Sequence, residues 1–208
     1  MGINNERGVF MRKIMSLLLA GMFLLQGCAS YRAGVLPTRD VFLYDNKQEQ
    51  DGLNVAVDIL DAKETKRVFQ FKLQSKNVQP VYLVIDNRSD KTYEFSKANI
   101  NKQCYSAEEV ADKFQFSTAG RATTYGVAGL FIWPLLIPAV VDGVGSANAN
   151  QKIQDDYAYK AIQDKSRIAP NGMLTGIVFV PNMKPGEDFT IRLTDVEDNT
   201  VKRFSFRN

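Results

Sequence analysis

Leu53, Val55, Val57 and Ile59 alternate with Asn54, Ala56 and Asp58. A period of two over that length predicts a half-buried strand. Asp61-Ala62-Lys63-Glu64 follows with the spacing of a capping box, which predicts a short helix to about Phe69, a charged loop being the alternative. Val81, Leu83 and Ile85 then alternate behind Gln79-Pro80, and proline belongs at the start or edge of a strand. Asp86-Asn87-Arg88-Ser89-Asp90 is a turn cluster, after which Tyr93-Glu94-Phe95 and Ile100 resume an extended pattern. The triplet Asn87-Arg88-Ser89 has the form of a glycosylation acceptor but reads as turn chemistry. Ser106-Ala107-Glu108-Glu109 is a second capping box, opening a helix through Val110 and Phe114.

Between Arg121 and Asp142 the chain carries no charge. Twenty helical residues rise about 30 Å, the thickness of a bilayer's hydrocarbon core. Pro134 and Pro138 oppose a straight helix there, since each removes a donor and clashes one turn back. Gly126, Gly129, Gly143 and Gly145 add flexibility or close-packing surface. Three placements stay open: a buried core element, a kinked helix or hairpin meeting membrane or a partner, and a full span. Trp133 lies near the centre of the run instead of at an interface, which favours a bend at Trp133-Pro134. The contact residues expected are Leu130, Phe131, Ile132, Trp133, Leu135, Leu136 and Ile137.

Residues 148–163 read as a polar helix, with Ile153, Tyr157, Lys160-Ala161 and Ile162 at three-to-four spacing. Asp155-Asp156 is then a solvated helix face, the alternative being a carboxylate pair for metal or acid–base work. The remainder returns to β. Pro170-Asn171-Gly172 turns into a strand from Met173 that Pro181 ends, Pro185-Gly186 turns into Phe189, Ile191 and Leu193, and Asp198-Asn199 turns into Val201, Phe204 and Phe206. The fold expected is mainly β with an α insertion. It is an immunoglobulin-like antiparallel β-sandwich of six or seven strands, interrupted at about 106–164 by a helical, partly apolar hairpin.

The front of the chain reads differently. Met11-Arg12-Lys13 is followed by the apolar run Leu17-Leu18-Leu19-Ala20-Gly21-Met22-Phe23 and then by Leu25-Gln26-Gly27-Cys28-Ala29-Ser30. A basic start, about a dozen apolar residues and a small-residue end make a secretory signal. Met11 is an alternative start, and Gly2 lacks the downstream Ser or Thr of a myristoylation signal. Leu25-Gln26-Gly27-Cys28 resembles the lipobox of bacterial lipoproteins, although Gln26 departs from the usual small or aliphatic residue. The resemblance covers roughly the first thirty residues. It implies cleavage between Gly27 and Cys28, a diacylglycerol on the Cys28 sulfur and an acylated new amino group. It implies a bacterial cell envelope location, and Ala29 in place of aspartate is similar to the outer-membrane pattern. The β-rich body resembles envelope lipoproteins only in outline. The expected division is a cleaved signal at 1–27, a lipidated tether at 28–52 and one domain at 53–208.

Composition narrows the chemistry. Removing residues 1–27 takes away Arg7, Arg12, Lys13 and Glu6, so the formal charge falls from +3 to +1. That leaves no electrostatic case for nucleic acid. With Cys28 committed to lipid, Cys104 has no partner for an internal disulfide and reads as a small core or semi-exposed residue, not a nucleophile. Histidine is absent from the sequence, which removes Ser-His-Asp and Cys-His catalysis and the commonest zinc ligand together. The chain is thus expected to be a non-catalytic binding or structural module with no cofactor beyond its lipid. Its partners would be membrane lipid, an envelope protein or further copies of itself. Two alternatives remain: an oligomeric, membrane-active or pore-forming component built from the Gly-rich insertion, and an enzyme with a carboxylate or tyrosine centre.

Overall fold

A computed structural model describes residues 30–36, 39–116 and 136–208, with side chains from 147 onward in the last stretch. The chain divides into two compact units: Tyr31–Gln115 with Asn150–Asn208, and Met1–Ser30 with Phe116–Ala149. The first unit holds two antiparallel four-stranded sheets.

One sheet takes β1 (Lys47–Gln50), β2 (Leu53–Ile59), β3 (Gln79–Asn87) and β6 (Met173–Val180), in that spatial order. The other orders β5 (Lys165–Ile168), β4 (Tyr93–Ile100), β7 (Asp188–Asp195) and β8 (Val201–Arg207). Helix α1 (Ala62–Phe69) links β2 to β3, and α2 (Ala107–Phe114) and α3 (Leu136–Lys160) lie in sequence between β4 and β5. Among the described residues, no helix is long and apolar enough to cross a membrane.

Alternation places one set of side chains from each sheet between them. Leu53, Val55, Val57, Val81, Leu83, Ile85, Val178 and Val180 meet Phe95, Phe189, Ile191, Leu193, Phe204 and Phe206 in a single core. Burial of an aliphatic or aromatic side chain of this size contributes about 1.5–3 kcal/mol, so this interior dominates stability. All nine residues of β3 are buried, with Tyr82, on the face away from the second sheet, against the Tyr44 ring. Val81–Ile85 lies in a central strand, between β2 and β6, with Pro80 next to the strand's start. Strand β2 is more enclosed than the half-buried strand its alternation predicts, since Asn54 and Ala56 are covered too.

Both predicted capping boxes form. Asp61 accepts from the amides of Lys63 and Glu64 at 2.7 Å each, and the Glu64 carboxylate takes the Asp61 amide at 2.9 Å. Ser106 and Glu109 exchange the same pair at 3.0 and 3.3 Å. Asn87 is wholly buried, its amide donating to the carbonyls of Lys91, Ile168 and Ala169 while its oxygen accepts from Ser89. The triplet is turn chemistry, as its sequence context indicates.

Two strands lie outside the predicted set. β1 reads Lys-Gln-Glu-Gln and is exposed throughout, so no apolar alternation announces it. Its Gln48 amide brackets Ser205 of β8, donating to the carbonyl at 2.6 Å and accepting from the amide at 3.2 Å. That side chain occupies the hydrogen bonds an incoming strand would use on this edge. β5 is four residues long with only Ile168 buried.

Where β4 meets β7, Lys91 pairs with Asp195 at 2.5 Å and Asp198 at 2.8 Å. The Lys91 hydrogen bonds hold both carboxyls below the ordinary 3.8, and they raise the ammonium above its ordinary 10.5. The carboxylate contribution is present above the unfolded value and is lost as pH falls through the lower folded one. The ammonium contribution is present below 10.5 and is lost as pH rises through the higher folded value. Lys91→Met is expected to lower Tm most between about pH 4 and 10, with the gap to wild type closing in stronger acid. Thermal melts from neutral pH to about pH 3 check this, and a gap that widened in acid would refute the pairing.

Candidate functional site

The sequence treats residues 28–52 as a solvated tether. The structure corrects this from Tyr31 onward: Tyr31, Val41 and Tyr44 are buried, and the segment closes with β1. Isolated apolar residues among polar ones carry no periodic signal, so only their tertiary partners reveal the docking. Cys28 and Gly27 lie outside the described residues, as do Leu130, Phe131, Ile132, Trp133 and Leu135. Leu136 and Ile137 open α3, where the backbone alone is described.

Tyr31 is held by a carboxylate 125 positions further along the chain. Its hydroxyl donates to Asp156 Oδ2 at 2.5 Å, and Lys160, one helical turn further along α3, pairs with the same oxygen at 2.5 Å. Lys160 Nζ also donates to the Val68 carbonyl at 2.9 Å and stands 5.0 Å from the centre of the Phe69 ring. The Lys160 side chain is 3% exposed and that of Asp156 is 8%. The solvated face expected for Asp155-Asp156 therefore holds for Asp155 alone. A pair adjacent on a helix points about 100° apart, so one member can face water while the other faces the interior.

Gly34 completes the dock. Its amide donates to the Val68 carbonyl at 3.2 Å, and a Cβ there would strike the backbone oxygens of Arg67 and Val68. Beneath lie Phe69, Tyr157 and Phe179, with centroids 4.8 to 6.0 Å apart, joining α1, α3 and β6. Tyr31 itself stacks on Phe71. The Tyr157 hydroxyl is buried and finds no partner among the described residues.

Burial and the neighbouring partners set the protonation of these groups. Burial and the Asp156 carboxylate push the Tyr31 hydroxyl far up, so it remains a donor. Burial pulls the Lys160 ammonium down, opposed by its bond to Asp156. Cys104 is partly buried against the core, and desolvation pushes its thiol up to about 11, which keeps it a thiol near neutrality. Among the described residues no three acidic or sulfur ligands converge as a metal site would require. Away from the latch, a mixed-charge cleft of about 220 Å³ lies among Arg39, Tyr44, Asp58 and Arg207. There burial, followed by the charge of Glu64, raises the Asp58 carboxyl.

In sequence Asp156 reads with Asp155, and Lys160 falls in the helical spacing of Ile153 and Tyr157; nothing there ties either to Tyr31, 125 positions from Asp156. No protein-family model matches the chain, and no curated protein or solved structure matches it.

Proposed function

We propose that this chain is a lipid-anchored protein of the bacterial cell envelope, fixed through Cys28 to the outer membrane. Its sandwich works by contact and not by turnover. The observation that carries the reading is the latch at Tyr31. Three residues beyond Cys28, a buried ion pair is committed to fastening the chain to the domain. A protein pulled at that cysteine would bear its load there.

The strand order supports an immunoglobulin-like assignment. With β1 set aside, β2-β3-β6 and β4-β7-β8 follow the A-B-E and C-F-G neighbour relations of that fold, while β5 joins the second sheet beside β4. In that frame the apolar segment at Leu130, Phe131, Ile132, Trp133, Leu135, Leu136 and Ile137 belongs to an insertion between β4 and β5. We assign it to contact with membrane or an envelope partner, through a kinked hairpin. Its glycines favour the second reading, an oligomeric membrane-active component, since small residues let helices approach closely.

Mass spectrometry of the full chain recovered from bacterial membranes tests the anchor. The expected product begins at a diacylglyceryl, N-acylated Cys28, and Cys28→Ser abolishes the modification. An intact leader or an unmodified sulfur would overturn the reading. Dye release from liposomes separates the two modes of action: the contact module leaves them sealed, and the oligomeric component does not.

A further inference from the structure

We infer that the face around Tyr31 lies flat against an acidic phospholipid leaflet, so that the sandwich is seated on the membrane instead of hanging from a leash. The inference rests on the lipid anchor at Cys28 and adds an orientation to it.

Reach comes first. Three peptide units span at most about 11 Å, so an acyl-bearing Cys28 stays within that distance of a Tyr31 that is itself immobilised by Asp156. A flexible tether over 28–52, as expected from sequence, would have permitted any orientation. With Tyr31 and Gly34 docked, it does not.

Surface chemistry comes second. A cleft of about 310 Å³ beside the latch is lined by Tyr31, Ala33, Lys152, Asp155, Asp156 and Tyr159. Tyr159 is 89% exposed, an aromatic ring held in open water beside the exit point. An amphipathic ring of this kind is favoured at the headgroup level of a bilayer. Arg32 and Lys152 are exposed around it, as is Arg67, whose backbone abuts Gly34. Of the two acids that line the cleft, Asp156 is already neutralised by Lys160, which leaves Asp155 as the unpaired carboxylate of that lining. Basic side chains close to an anionic leaflet are attracted to it, and the attraction fades within a Debye length. Only a face already held at the surface can use it.

The test uses the protein expressed from the full-length sequence, purified from bacterial membranes in its processed form and reconstituted into phosphatidylethanolamine–phosphatidylglycerol vesicles. In a Cys104→Ser background, single fluorescent labels are placed through Asp155→Cys, beside the latch, and Val201→Cys, on the second sheet. Spin-labelled headgroups are expected to quench the label at position 155 several-fold more than the one at 201. Combining Arg32→Glu, Arg67→Glu and Lys152→Glu is expected to abolish that difference while the protein stays on the vesicles. Equal quenching at the two sites, with Cys28 acylated by mass, overturns the orientation and leaves the anchor standing. An unmodified Cys28 overturns both.

Discussion

Asp156→Ala is expected to destabilise the folded unit by about 3–5 kcal/mol, the range for breaking a buried ion pair from one side. The substitution strands the Lys160 ammonium, whose side chain is 3% exposed, with the Val68 carbonyl and the Phe69 ring as its remaining company. It also removes the acceptor for the Tyr31 hydroxyl. The uncompensated charge is the larger part of the penalty, since an ion leaving water is much costlier than a lost neutral hydrogen bond. Adding Lys160→Met should therefore recover much of the loss, because a hydrophobic side chain of similar length leaves nothing charged behind. Urea unfolding of the wild type, both single variants and the double variant measures this directly. If Asp156→Ala costs less than about 1 kcal/mol, the pair is solvated in solution and the latch is not a latch.

A comparable loss, about 3–5 kcal/mol, is expected for Phe69→Ala. Phe69 is wholly buried between Tyr157 and Phe179, so its ring fastens α1 to both α3 and β6. Removing it leaves a cavity where three elements meet, and a rigid interior collapses only partly around such a void. Phe95→Ala, in the core between the sheets, is the matched control. Equal destabilisation of the two variants would make the helix-covered face and the inter-sheet core one cooperative unit. A loss confined to Phe95→Ala would make the helices an adornment.

These two expectations concern residues of very different visibility in the sequence. Phe69 closes a helix announced by Asp61 and Glu64, and the box bonds they form are local. Residues three apart in sequence must be close in space, so short-range chemistry suffices to predict them. The same holds for the strands from Leu53, Val81, Met173 and Phe189, where alternation marks the buried face whatever that face meets. Strand β1 escaped because it has no buried face, and its place is set by backbone pairing with β2 and by Gln48 on Ser205. The segment from Tyr31 to Tyr44 escaped because its anchors are scattered, with no period to detect.

Sequence alone determined the mainly β character, the two capped helices, the lack of histidine chemistry and the resemblance of residues 25–28 to a lipobox. All are written in local order or composition. Tertiary structure alone decided that two four-stranded sheets share one core. It also decided that Asp156 faces inward while Asp155 does not, and that the chain beyond Cys28 is fastened at once. Each depends on contacts between residues far apart in the chain. The free energy of such a contact belongs to a pair, and no single stretch of sequence contains both partners.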